Sequence, residues 1–304
     1  MKPPDYIDVL SANYFERYLS AGGSAFKMVI SPPGTSLKGF SQLLHKKVSE
    51  AGAIVLKLDA VADHIHRVDK LFFAVAKCIA WDEEAAKFVH RYIVPSSANK
   101  DVHSTMHVSG KQKPEIAEAI KKNVSHDYGF CAEFRTALTH LCLSRLAVDT
   151  QVLSPYSAQV KGWLMGEPVP MAALKPAMIF RKVQRNSARN MLYSAFRFLR
   201  RCGYPFVVLE IDVSRYAEQA RVAERTLGHY YSNAACFDLY ELLRQFIDDM
   251  ERFDGTMVVV TGPNTIVTDA RRGISRYQAL QMRLWSDVRI QNAENPMAPL
   301  VWLS

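Results

Sequence analysis

The chain has 304 residues, 49% of them hydrophobic, and a formal net charge of +8. That is enough apolar material for one large α/β domain or two smaller ones, and no apolar run reaches the ~18–20 residues that a membrane-crossing helix needs. The charge permits contact with nucleic acid or another acidic surface without demanding it. The start, Met1-Lys2-Pro3-Pro4-Asp5-Tyr6, has no apolar core behind it and does not read as a signal peptide. Five scattered cysteines, odd in number and never spaced C-x-x-C, read as reduced thiols of a cytoplasmic protein rather than metal ligands.

In chain order, residues 7–20 predict a short amphipathic helix with Phe15, Tyr18 and Leu19 on one face, broken by Ala21-Gly22-Gly23-Ser24. Ala25 to Ile30 is the first apolar strand. It runs into Ser31-Pro32-Pro33-Gly34-Thr35-Ser36-Leu37-Lys38-Gly39, and then into a helix with Phe40, Leu43, Leu44 and Val48 at helical spacing, ended by Gly52. Strand, glycine-containing loop and helix are the grammar of a phosphate-binding loop, G-x-x-x-x-G-K-[ST]. In a working loop the glycines let backbone N–H groups reach the phosphates, the lysine neutralises them and the hydroxyl holds Mg²⁺. Anchored on Gly34, this copy has Ser31 and Ser36 for the two glycines, Leu37 for the lysine and Lys38 for the hydroxyl. Anchored on Lys38, it has Pro32 and Leu37 where glycines belong and Gly39 for the hydroxyl, so neither register restores the motif. Gly34, Thr35, Ser36, Lys38 and Gly39 remain the residues that would face a phosphate.

Ala53 to Asp59 is a second strand, apolar enough to expect burial on both faces, and with the helix before it forms a parallel βαβ unit. A polar connection carries His64 and His66, two apart, a spacing that suits no helical metal pair. Residues 70–79 are an apolar helix. From about 81 to 190 helices dominate, at 82–93, 114–123, 130–148 and 154–165, with a polar loop over 96–113. A helix over 181–201 gathers Arg181, Lys182, Arg185 and Arg189 on its first turns, where cations oppose the macrodipole. Phosphate contact, a partner's acids or plain surface charge would each account for them.

Phe206 to Asp212 is an apolar strand that ends in an acid, the pattern that follows a phosphate loop and holds Mg²⁺ through its aspartate when nucleotide binds. Asp212 is present, but Val213 stands where a second acid would orient water. Glu210 falls on the same face as Asp212 by the period of two, yet too early along the strand for an obvious substitute. Residues 215–227 are helix or loop, and 237–250 an amphipathic helix. Thr256 to Thr261 is a strand stopped by Gly262-Pro263, with Thr261 or Asn264 where a γ-phosphate sensor sits. Arg271 and Arg272 precede a helix over 275–285, and 295–303 closes the chain as an edge strand. The strands are expected in one parallel sheet, with the loop and Asp212 at the same carboxyl end.

The order of these pieces resembles the P-loop ATP-binding proteins of BREX-type bacterial phage-defence clusters, members of the AAA+ class. The likeness lies in the degenerate loop at 31–41, the stretch Ala53 to Ile79 with its His66-Arg67-Val68-Asp69-Lys70-Leu71 turn, and Gly162-Trp163-Leu164-Met165-Gly166-Glu167. Two further segments carry it: Leu199-Arg200-Arg201-Cys202-Gly203-Tyr204, and Arg271 to Leu280 with Asn295-Pro296. The resemblance implies a P-loop NTPase (AAA+-like) α/β fold, with its sheet in 1–80 and 191–304 and a helical insertion at 81–190. It implies ATP and Mg²⁺ as cofactors, partner subunits of a defence complex, homo- or hetero-oligomers, and Arg271 or Arg272 as an arginine finger for a neighbour. The departures from the family's G-x-G-K-[ST] loop and Asp-Glu strand end imply a pseudo-ATPase that acts as scaffold or regulator and binds ATP weakly or not at all. An atypical active ATPase using Lys38, or a DNA-binding module built on the four cations at 181–189, are the other readings.

Overall fold

A computed structural model describes residues 1–32, 35–94, 105–148, 151–218, 228–285 and 295–304. By packing, the chain divides into two compact units, Met1–Leu71 with Tyr204–Ser304, and Phe72–Gly203. It lays down β1 (Ala25–Ser31) and β2 (Ile54–Asp59) in the first unit and β3 (Met106–His107), β4 (Leu146–Val148) and β5 (Gln151–Val152) in the second. It then returns with β6 (Val207–Asp212), β7 (Thr256–Pro263) and β8 (Leu300–Trp302).

In the first unit five strands pair in the order β2-β6-β7-β1-β8, all parallel. The strands expected near 25–30, 53–58, 206–212 and 256–261 thus share one sheet, and this parallel sheet flanked by helices is a P-loop NTPase-like fold. The three central strands are buried almost throughout, which is why apolar residues dominate them, with Lys27 and Glu210 as buried charged exceptions. β2 is a correction: it is the outer strand, Ile54 and Val55 are only half-buried, and Lys57 and Asp59 are exposed. An apolar run does not reveal whether a strand has one neighbour or two.

One face of the sheet is covered by helices α1 (Pro3–Leu10) and α2 (Lys38–Glu50). Tyr6, Leu10, Phe40, Leu44 and Val48 pack with Val29, Val208 and Val259 of the strands. Phe15 stacks on Phe206 with ring centroids 5.1 Å apart. The helix expected over 7–20 does not stay α-helical. The N–H of Glu16 reaches the carbonyl of Ser11 (3.3 Å) and that of Leu19 the carbonyl of Tyr14 (3.0 Å), five residues back. Those wider turns change the phase of the buried stripe, so Leu19 is buried while Tyr18 is 48% exposed.

Elsewhere in this unit the helices Asn233–Asp248 and Gln278–Leu284 are joined by an ion network. Arg244 pairs with Glu241 (2.6 Å) and with Asp248, Arg283 pairs with Asp248 (2.5 Å), and Tyr277 Oη donates to Glu241 Oε2 (2.5 Å). The Arg244 hydrogen bonds, helped by Tyr277 and Gln245 and opposed by burial, hold the Glu241 carboxyl down to about 2. Because the folded value lies below the unfolded one, this stabilisation is complete above the ordinary carboxylate range and lost as pH falls through about 2. Glu241 is 37% exposed, so screening keeps the effect to about 1 kcal/mol or less. Glu241→Gln is expected to be slightly less stable than wild type at neutral pH and equal to it at the acid end, in urea melts across pH.

The second unit is built on aromatic side chains. Trp81 stacks on Phe198 at 5.9 Å, and Phe134 and Phe88 pack against the same ring. Its small sheet has the order β3-β4-β5, with β3 parallel and β5 antiparallel to β4. This corrects the helix expected over 130–148, which ends at Ser144. Leu146–Val148 becomes a strand because Met106 N–H donates to Arg145 O and Leu153 N–H to Leu146 O, partners that local periodicity does not show. Of the loop expected over 96–113, residues 96–104 lie outside the described residues. The helix expected over 181–201 starts at Arg185, because Gln184 caps it: the Gln184 N–H donates to Ser187 Oγ (3.1 Å). Arg181 and Lys182 therefore precede the helix, and only Arg185 and Arg189 sit on its first turns.

Candidate functional site

At the carboxyl end of the five-stranded sheet the loop after β1 and the tips of β6 and β7 enclose a cleft of about 420 Å³. The loop side is formed by Ser31 and Thr35 to Lys38, the strand side by Glu210, Asp212 and Thr261, and β2 contributes Lys57. The loop and Asp212 thus face one another across a single cleft, as the phosphate-loop reading requires.

The loop itself departs from a phosphate cradle in ways that packing explains. Leu37, in the lysine's place, packs against the apolar core beneath α2. Lys38 is the first residue of α2 and is exposed, and its backbone N–H donates to Ser36 Oγ (3.2 Å). Thr35 and Ser36 are exposed at the rim, and the Thr35 N–H donates to Pro32 O (3.2 Å). Gly39 is exposed too, and a Cβ there would meet nothing within 4 Å, so packing does not demand a glycine. Gly34 lies outside the described residues.

On the strand side, Asp59, Asp212 and Thr261 stand level on β2, β6 and β7. Asp212 Oδ1 accepts the Ser214 N–H (2.8 Å), and Thr261 is buried. Val213, in the water-orienting position, is fully buried beside Gly262. Asn264 does not line this cleft; its N–H donates to Ser31 O (3.0 Å), tying the end of β7 to the end of β1. The Asn264 Oδ1 is buried with no partner among the described residues.

The residue that the sequence reading set aside is Glu210. It is 1% exposed, points to the same side as Asp212, and is held by side chains of α2 and β2. Its Oε2 accepts from Ser41 Oγ (3.1 Å) and from His45 Nε2 (2.5 Å). Lys57 Nζ donates to Ser41 Oγ (2.8 Å) and lies 3.8 Å from Glu210 Oε1. A signal for this cluster was present: the period of two puts Glu210 with Asp212, and Lys57 stands level with Glu210 on the neighbouring strand. What was missing was the pairing of β2 with β6.

The two arginines part company. Arg272 is 5% exposed, and its guanidinium donates to Glu218 O (2.7 Å) and Tyr231 O (3.3 Å), so it braces two chain segments from inside. Arg271 is exposed. The backbone N–H groups of both donate to Asp269 and hold its carboxyl below the usual carboxylate range. His64 stacks on His229 at 3.8 Å, and His66 Nδ1 meets Tyr216 Oη at 2.9 Å. No group of three or more His, Cys, Asp or Glu that could hold a metal ion occurs among the described residues.

In the second unit Arg181 and Lys182 line a separate concavity of about 460 Å³ together with Phe180, which is 60% exposed. The Arg181 carbonyl is fixed by Trp163 Nε1–H (2.9 Å). Arg185 and Arg189 continue onto the helix that begins beside it.

Nucleotide-bound Mg²⁺ needs a hydroxyl at the head of the helix and carboxylate oxygens able to reach the ion or its waters. Here an ammonium, Lys38, stands in the hydroxyl's place, Glu210 is already engaged by Ser41, His45 and Lys57, and one oxygen of Asp212 is taken by the Ser214 N–H. The residues present do not fit Mg²⁺. Among the described residues no helix is long and apolar enough to cross a membrane.

No curated protein and no solved structure matches the chain. A family model does, over residues 16–304, taking in the loop, the cleft-lining strands and the second unit. The chain therefore belongs to the family described as BREX system ATP-binding protein BrxC/D, and membership implies a role in a phage-defence system.

Proposed function

We propose that this protein is a catalytically impaired AAA+-like subunit, cytoplasmic, that acts as a scaffold or regulator in a BREX defence complex. One observation supports the reading: the two positions at which a hydrolytic cleft would carry a lysine and a second acid hold apolar side chains, Val213 fully buried and Leu37 half-buried against the core at the cleft wall. The cleft itself survives, which fits a part kept for its shape and its contacts. Its partners are other subunits of the system, in homo- or hetero-oligomers, and the exposure of Arg271 supports it over buried Arg272 as the arginine finger for a neighbour. Co-purification from the native gene cluster followed by mass spectrometry tests this. Recovery of a defined set of defence subunits, unchanged by Lys38→Ala, is expected. An assembly that depends on ATP turnover by this chain would favour the atypical ATPase in which Lys38 serves as the phosphate-loop lysine.

A second reading, contact with DNA, is supported by the concavity at Arg181 and Lys182 with Arg185 and Arg189 beside it. If these four cations meet phosphates, duplex binding falls with salt at a log–log slope of about −0.9 per contact. Replacing Arg181 and Lys182 with alanine is expected to reduce that slope by about 2 in an anisotropy titration. A slope indifferent to salt or to the substitutions would remove DNA from the account.

A further inference from the structure

The concavity at Phe180 in the second unit carries an inference that rests on the contact with DNA proposed above. Ile179 and Val183 are buried, whereas Phe180, Arg181 and Lys182 between them are exposed. Buried Trp163 also holds the Arg181 carbonyl through its Nε1–H (2.9 Å). The segment is thus pinned at three points, and it presents an aromatic ring followed by two cations to the concavity. A lone exposed phenylalanine needs no partner. One that lines a concavity next to cations has the chemistry of a platform for nucleic-acid bases.

The charge balance favours an anion. Arg181 and Lys182 have no side-chain partner among the described residues, and one acid, Glu133, lines the same concavity. Arg185 and Arg189 follow on the adjoining helix and add to the positive side. Charge alone would suit a duplex as well as a single strand; the ring and a neighbouring amide separate the two. In a duplex each base is stacked between neighbours and its pairing edge is taken, so a protruding ring meets no base face. In an unpaired strand the face is open, and the flanking phosphates can reach the cations. Asn186 lines the concavity too, and its carboxamide makes no hydrogen bond with a described residue. That one group offers both a donor and an acceptor to an exposed pairing edge.

We propose that this concavity binds an unpaired DNA strand in preference to a duplex. One base lies on Phe180 with its pairing edge toward Asn186, and the phosphates on either side meet Arg181 and Lys182. The second unit then engages DNA where the strands are separated.

The experiment is a fluorescence anisotropy titration of the full chain with a labelled thymidine strand of about 12 nucleotides and with a duplex of the same length. Tighter binding of the strand is expected, with a log–log salt slope of about −0.7 per phosphate contact. Phe180→Ala is expected to weaken strand binding about tenfold and to leave the slope unchanged, and Phe180→Tyr to keep the affinity. Replacing Arg181 and Lys182 with alanine lowers the slope instead. Phe180 is exposed, so its truncation leaves the fold intact, which a thermal melt checks. A uridine strand bound equally assigns the site to base and phosphate, and a preference for thymidine adds the sugar. Duplex bound as tightly as the strand, or strand binding indifferent to Phe180→Ala, overturns the proposal and leaves the contact with DNA standing. Binding of neither removes both. Loss of a partner subunit from Phe180→Ala with DNA binding unchanged would make the ring a protein contact and overturn it as well.

Discussion

Purified wild-type protein is expected to hydrolyse no ATP above background and to show no thermal shift at micromolar nucleotide. A phosphate cradle works by successive backbone N–H groups, a helix N-terminus and an ammonium. Pro32 and Pro33 lack an N–H, Ser36 adds a Cβ where the backbone should approach, and Leu37 is apolar and half-buried against the core under α2. Each lost charge-assisted hydrogen bond is worth roughly 1.5–3 kcal/mol. Two or three of them move a micromolar site to about millimolar, and a ligand far below its dissociation constant adds no stability. Repair requires Ser31→Gly, Ser36→Gly, Leu37→Lys, Lys38→Ser and Val213→Glu together. The packing adds a cost to that repair: Leu37→Lys withdraws a side chain from the core, and Val213→Glu buries a carboxylate where Val213 is fully enclosed. The repaired chain is therefore expected to gain Mg²⁺-dependent ATP binding and to melt lower than wild type. Steady turnover by the unmodified protein, in a coupled phosphate-release assay, would show that the loop achieves a working geometry by another route.

Arg272→Ala is expected to cost about 2–4 kcal/mol of folding stability, whereas Arg271→Ala should stay within about 0.5 kcal/mol. Arg272 is buried and holds the Glu218 and Tyr231 carbonyls, both of which lose a charged donor when it is truncated. Arg271 is exposed, and what fixes its place is the backbone bond from its N–H to Asp269, which alanine keeps. Urea denaturation of the two variants separates them. Stability loss of equal size in both would contradict the bracing role. If Arg271 serves a neighbouring subunit, Arg271→Ala leaves folding intact and lowers the activity of the reconstituted assembly, an effect that mixing with wild-type protein at low dose should dilute.

The sheet was legible because its central strands are buried on both faces. Val207–Asp212 and Thr256–Pro263 are buried almost throughout and carry the apolar runs Val207-Val208-Leu209 and Met257-Val258-Val259-Val260, the mark that burial on both faces leaves in a sequence. Elements settled by partners far along the chain were not legible in the same way. Leu146–Val148 continues a helical pattern until its backbone finds Met106 and Leu153, and Tyr18 leaves the buried stripe because wider turns precede it. Arg181 and Lys182 read as helical until the Gln184–Ser187 cap starts the helix at Arg185.

The same division holds for the cleft. The amino-acid sequence by itself carried the order of loop and strand end, Leu37-Lys38-Gly39 after β1 and Asp212 followed by Val213, and the apolar runs that predict one parallel sheet. Those are statements about residue type and order, and residue type and order are what a chain carries before it folds. Only the tertiary structure decided that Val213 is fully buried and Leu37 half-buried against the core, and that Arg272 points inward while Arg271 is exposed. It alone also brought Ser41, His45 and Lys57 onto Glu210 from one helix and a strand 153 residues away. Charge compensation depends on distances of a few ångströms, and positions 57 and 210 acquire such a distance only when β2 pairs with β6.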